Sequence, residues 1–407
     1  MYDKIELPNG LKVVTEYLPH VHSVSVGVWV KVGSRQENEN CLGVAHFIEH
    51  MLFKGTTTRS AKKIAEEIEA VGGQLNAFTS KEYTCFYAKV LDTDFALACD
   101  LLADMLLNSC FDQGEIEKEK KVILEEIKMF EDNPEEMVHD LLTDVMLPHH
   151  PLGRPILGTE KTVNFIEKER LLEFMADYYL PDNAVIAVVG NIRSEQVFRE
   201  IENKFGAWSG RAKKTPAIIP YITAGSYTRK KKIEQAHLCL GFPGAKRQDD
   251  ERYTFAVLDL ILGGGVSSRL FQNLREERGL VYSTYTTHSA YNECGIFSIY
   301  AGTSVTNLEQ VLLLIRQNLK AITSQEVDDK EIQRAKQQLR ANLLLSLENT
   351  STRMNRLAKN ELFYGRNITP EEIVEKIEKV QKEDIRDMAN KYLNQEALTT
   401  VIVGPIP

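Results

Sequence analysis

The chain has 407 residues, a formal charge of −9 and a pI near 5.6. That length exceeds what one hydrophobic core serves, so two or more domains are expected. The acidic balance argues against nucleic acid or an anionic membrane as the main partner, and no apolar run is long enough to span a bilayer.

The opening segment MYDKIELPNGLKVV reads as a strand, a Pro-Asn-Gly turn and a second strand, with no charged-then-apolar leader. SVSVGVWVKV follows as an alternating strand. The six cysteines lie far apart without a C-x-x-C pair, several in apolar surroundings, which fits reduced thiols. The expectation is an intracellular, cytoplasmic protein.

His46-Phe47-Ile48-Glu49-His50 comes next. On a helix this H-x-x-E-H order sets two imidazoles and a carboxylate on one face, where two neutral imidazoles can grip a divalent metal and the carboxylate can reach a water on it. The spacing suggests metal-assisted hydrolysis. Leu42, Val44, Ala45, Phe47, Ile48, Met51, Leu52 and Phe53 make the helix apolar nearly all round, so its polar groups need partners. Cys41 lies close by, but an offset of five from His46 does not match a helical face.

Gly72-Gly73-Gln74-Leu75-Asn76-Ala77-Phe78-Thr79 reads as a tight turn into a strand, and CFYAKV as another. A catalytic zinc usually takes three protein ligands, so a third donor is needed. The predicted helix EIEKEKKVILEEIKMFE is the best source: Val122, Ile123, Ile127 and Phe130 define its buried stripe, and Glu119 and Glu126, seven residues apart, share a face. On spacing alone those glutamates read more readily as a solvated charged surface than as ligands.

That helix repeats. EIEKEKKVILEEIKMFEDN from Glu115 parallels EIQRAKQQLRANLLLSLEN from Glu331, 216 residues later, and Gly153-Arg154 recurs as Gly365-Arg366. Each half runs through alternating strands, a helix, further strands, amphipathic helices and an apolar closing strand. The fold class is therefore α+β: two homologous domains from a degenerate duplication, each a mainly antiparallel sheet packed with helices. The expected boundaries are a metal-bearing domain at 1–210, a Pro- and Gly-containing linker at 211–228, and a second domain at 229–407. The second half offers GGGVSSRLFQNL in place of H-x-x-E-H and Asn342 in place of Glu126, so only the first can hold the metal.

The combined pattern of His46, Glu49 and His50, with Glu126 76 residues beyond His50, and with GGQLNAFTSKEYT and LREERGLVYS, resembles the inverted-zincin peptidases. That family contains pitrilysin, insulysin and the mitochondrial processing peptidases; the compact length resembles the processing-peptidase-like subfamily in its bacterial two-domain form. The resemblance covers nearly the whole chain. It implies one Zn2+ per chain held by His46, His50 and Glu126, with Glu49 as the general base and Glu119 as a carboxylate that orients a ligand. Cobalt or manganese could substitute, since ligand softness discriminates weakly. It implies also that the strand at Asn76, Ala77 and Phe78 is an exposed edge that pairs with peptide, Asn76 and Ala77 flanking the scissile bond. Arg275 and Tyr282 in the second domain match the family's substrate-contacting pair, one holding a peptide carbonyl and the other donating to the oxyanion. Arg278 competes with Arg275 for that role, and Gly263-Gly264-Gly265 resembles the family's glycine-rich stretch. The implied protein is a zinc metalloendopeptidase or oligopeptidase acting on short unfolded polypeptides within a chamber closed by a homodimer. A non-catalytic structural subunit of the same fold is the alternative, and an active half of a heterodimer a weaker one.

Overall fold

The computed structural model describes residues 2–324 and 327–406. Its compact units are not contiguous stretches. One comprises Met1–Lys128, Arg154–Pro216 and Leu345–Ile368; the other comprises Met129–Gly153, Ala217–Leu344 and Thr369–Pro407.

The first unit is built on β1 (Tyr2–Glu6), β2 (Lys12–Tyr17), β3 (Ser23–Val30), β4 (Gln74–Thr79), β5 (Thr84–Leu91) and β6 (Ala184–Gly190). They form one sheet in the order β1-β2-β6-β3-β5-β4, antiparallel except for β2 with β6, which leaves β4 at an open edge. Although β3 is written as an alternating strand, almost every residue in it is buried. The reason is that both sheet faces are covered. Val24, Val26, Val28 and Val30 point into a core shared with the helices Val44–Leu52, Phe95–Asn108 and Ser194–Phe205. On the opposite face Val14, Trp29, Val185 and Ala187 meet Met354, Leu357 and Ala358 of the helix Thr350–Tyr364.

The second unit repeats the plan with β7 (Gly225–Lys230), β8 (Ala236–Gly244), β9 (Val281–Ala290), β10 (Gly295–Thr303) and β11 (Thr399–Gly404), ordered β7-β11-β8-β10-β9. Position for position this matches β2-β6-β3-β5-β4, down to the single parallel pair, β7 with β11. The helix Pro134–Met146 covers one face through Met137, Val138, Leu142 and Met146, and helices including Glu251–Leu262 and Leu308–Ser324 cover the other. β7 begins inside the stretch expected to be linker. Its residues are nearly all exposed, so no apolar period marks it in the sequence.

The two duplicated long helices, Gln113–Glu131 and Asp329–Ser346, each lead into a helix capped by asparagine. The Asn133 side chain accepts the N–H of Glu136, and Asn349 accepts those of Ser351 and Thr352. The caps end the repeat at the same place in both halves. The helices they start are exchanged: the one from the first half covers the second unit's sheet, and the one from the second half covers the first's. Leu357 is 4% exposed in that contact. Leu357→Ala is expected to cost about 2–5 kcal/mol of stability, measurable by denaturant unfolding.

Candidate metal centre

Glycines at a backbone crossing fix the start of the helix Val44–Leu52. Gly43, at its N-cap, has φ of 91°, and a Cβ there would meet the Leu157 carbonyl oxygen at 2.7 Å. The buried Glu37 carboxyl group, whose pKa burial pushes up to about 8, accepts the N–H groups of Gly43 and Ala45, both at 2.8 Å, and so anchors the amino end of the helix. Arg154 donates to the Glu37 carbonyl oxygen at 2.7 Å and holds that residue in turn. Val44, Ala45, Phe47, Ile48, Met51 and Leu52 are buried, which leaves His46, Glu49 and His50 on the remaining face.

The carboxylates come from the long helix Gln113–Glu131, whose buried stripe is Ile116, Glu119 and Ile123. Val122, expected in that stripe, is 42% exposed; it stands one residue before Ile123, which turns it about 100° around the helix. Glu126 Oε2 lies 3.8 Å from His46 Nε2 and 3.6 Å from His50 Nε2. Among the described residues these three form the one group of histidine, cysteine and acidic side chains placed to share a metal. Two ligands at about 2.0–2.1 Å from a tetrahedral zinc stand about 3.3–3.4 Å apart, so the two Glu126 contacts need close by only a few tenths of an ångström to share a small cation, and all three ligand atoms lie within 4.8 Å of one another. Cys41 lies outside the group, its thiol directed to Asn38 Oδ1 at 3.0 Å.

Glu119 is buried and holds His50 in place. Its Oε2 is 3.0 Å from His50 Nδ1, and its Oε1 is 2.7 Å from Lys54 Nζ. Burial alone would raise the Glu119 pKa, but the hydrogen bonds from His50 and Lys54 outweigh it and hold the carboxyl below its ordinary range. An ionised carboxylate only accepts, so His50 Nδ1 carries a proton. Burial would lower the His50 pKa, but the bond to Glu119 and the charges of Glu126, Glu119 and Glu49 outweigh it and raise it, so a metal would take the place of a proton on Nε2. Burial, with a smaller contribution from His50, pushes His46 down to about 3, so that ring is neutral and available as a ligand. Glu49 is raised chiefly by burial, against the hydrogen bond that Thr79 Oγ1 donates to its Oε2 at 2.6 Å. Replacing Glu119 by glutamine is expected to lower metal affinity about 10- to 100-fold without abolishing folding, read by chelator competition.

Thr79 ends β4, the open edge strand. Asn76 Oδ1 accepts the N–H of Ala77 at 2.8 Å, and Phe78 packs edge-on to Trp29 at 5.6 Å between centroids. In the second unit, Arg275 lies in the π-helical turn Phe271–Glu276, its guanidinium 4.9 Å from the ring centre of Phe271 and 5.5 Å from that of Tyr282. Tyr282 stands on β9 with 74% of its surface exposed. Arg278 donates to the Asn273 carbonyl and to Glu277, at 2.9 and 2.6 Å, and is committed to its own turn. Gly263 closes the helix Glu251–Leu262. Sequence reasoning missed Glu37, Lys54 and Thr79. None has a motif of its own; each matters through one contact made only on folding.

Comparison with known families settles the lineage. Residues 12–160 match the model described as "Insulinase (Peptidase family M16)", and residues 166–339 match "Peptidase M16 inactive domain". The chain belongs to the M16 peptidase family. Relatives align along nearly its whole length. A Bacillus subtilis protein named "Uncharacterized zinc protease YmxG" is 44% identical over 99% of this chain and 98% of its own. An uncharacterized zinc protease of Streptomyces coelicolor is 43% identical over 98% of this chain and 89% of its own. The crystal structure of a protease from Helicobacter pylori superposes with a TM-score of 0.92 at 23% identity, covering 100% of this chain and 99% of that one. A Pseudomonas fluorescens structure described as a peptidase M16 inactive domain gives 0.93 at 22% identity, covering 100% and 98%. These two show that the two-unit M16 fold is the fold of this chain. No helix among the described residues is long and apolar enough to cross a membrane.

Proposed function

We propose that the chain is a zinc-dependent endopeptidase that cuts short, unfolded polypeptides. The observation that carries this reading is the meeting of His46, His50 and Glu126 within 4.8 Å of one another, with Glu49 on the same helix face. His46, His50 and Glu126 would hold one zinc, which when bound supplies Lewis acidity and makes water a competent nucleophile near neutral pH. Glu49 takes the proton of the attacking water and delivers it to the departing amine. Its raised pKa suits both halves of that task, and Thr79 fixes its carboxylate. Glu119 keeps His50 in the ligand tautomer.

The unpaired edge of β4 takes the peptide as an added strand, with Asn76, Ala77 and Phe78 alongside it. The N–H of Ala77, satisfied by the Asn76 side chain, becomes available to substrate when that amide swings away. Arg275 and Tyr282 would hold a peptide carbonyl and the oxyanion. Their stacking on one another and the exposure of Tyr282 support a joint role, whereas Arg278 is already paired. The complete set of ligand and base residues favours this reading over a non-catalytic subunit.

Incubation with a mixed library of unstructured peptides, with and without a chelator, followed by mass spectrometry, tests it. Cleavage that stops with chelator and returns on adding zinc is expected; cleavage indifferent to chelator would end the proposal. The resemblance supports a cytoplasmic homodimer, for which light scattering should give a mass near twice the 46.2 kDa chain.

A further inference from the structure

Beside β4 the first unit has a groove of about 610 Å³, walled by Phe53, Ile64, Ala65, Ile68 and Leu75, with Lys54, Glu69 and Gln74 around its rim. One wall is the helix Ala61–Ala70 and the other is β4 itself, at the end away from Thr79. The groove therefore continues the line of the open strand edge on which Glu49 is fixed by Thr79. Its volume lies in the range of ligand-sized pockets, and it opens to solvent along the strand edge. Its floor is apolar, since Ile64 and Ile68 are buried at 2% and 4% exposure, while Ala61 and Ala65 present nothing larger than a methyl group toward it.

We infer that this groove is a specificity subsite that takes a large apolar side chain of the bound peptide, at a position two to four residues from the scissile bond. The inference rests on the peptidase reading above and adds to it a substrate class. An added strand advances about 3.3 Å per residue. A bond held beside Ala77 then places the residues facing Leu75 and Gly73 about 7–13 Å along the strand, level with the groove. Main-chain pairing alone tolerates any sequence, so side-chain preference has to come from such a wall. Alanines at 61 and 65, one turn apart, leave room for leucine, methionine or phenylalanine. A charged side chain would lose its water against isoleucine without gaining a buried partner.

Ala65 is exposed on the helix, so enlarging it does not disturb the core. The test uses the zinc-loaded full-length protein and two peptide series that differ only in carrying leucine or glycine at each position around the cleaved bond. Wild type should favour leucine at one position two to four residues from the cut, and the side on which that position lies reports the direction of the added strand. Ala65→Trp, which fills the groove, and Ala65→Glu, which makes it polar, should each reduce the leucine-to-glycine ratio of kcat/KM there by roughly tenfold or more, with the ratios at other positions held. A wild type that cuts without such a preference, or variants that keep the ratio, would overturn the subsite while leaving the peptidase reading in place. Failure of the wild type to cut any peptide would overturn both.

Discussion

Glu49→Gln is expected to keep its zinc and lose about 10²- to 10⁴-fold in turnover of an unstructured peptide. The substitution is nearly isosteric, and the amide can still hydrogen-bond Thr79, so the helix face stays as it is. What disappears is the ability to take a proton. Because His46, His50 and Glu126 are untouched, metal content by elemental analysis should match the wild type. KM should move little, since Glu49 does not hold the peptide's main chain. A variant that cleaves at the normal rate would remove Glu49 from the mechanism.

Glu126→Gln tests the other half of the site and should behave in the opposite way. A neutral amide is a poor replacement for a carboxylate on zinc, and two imidazoles without a third donor form an incomplete site. Loss of metal affinity is expected to exceed the roughly 10- to 100-fold that follows removal of a partner standing behind a ligand. Activity should fall with it and be partly restored by excess zinc. Glu126 is more than a third exposed, so the unfolding midpoint of the metal-free protein should hardly change. Zinc binding with wild-type affinity would exclude Glu126 from the ligand set. Taken together, the two variants separate holding the metal from using it, which no single loss-of-activity experiment does.

Much of this site was legible in the sequence because its parts are short-range. His46, Glu49 and His50 fall on one face by helical geometry alone, and Glu119 and Glu126 share another face for the same reason. Spacing could not say that the two helices meet, nor which glutamate faces the imidazoles and which stands behind His50. That assignment came from family resemblance; in the structure Glu126 stands 3.6–3.8 Å from the two imidazoles and Glu119 stands 3.0 Å from His50. The fold class was readable from alternation and from the 216-residue repeat. The composition of the units was not. Apolar residues such as Val138 and Leu357 state that a helix face will be buried, but not in which half of the chain its cover lies. Val122 shows the converse limit: an apolar residue beside a buried stripe need not belong to it.

The traded helices make each half of the sequence depend on the other. A lone repeat, folded without its counterpart, leaves one side of its sheet bare: Trp29, Val185 and Ala187 in the first half, Ile296, Val401 and Val403 in the second. Such a molecule would need a twin to lend it the missing cover. In this chain, then, each sheet is complete only with a helix that the other half of the sequence supplies, so neither half is self-sufficient.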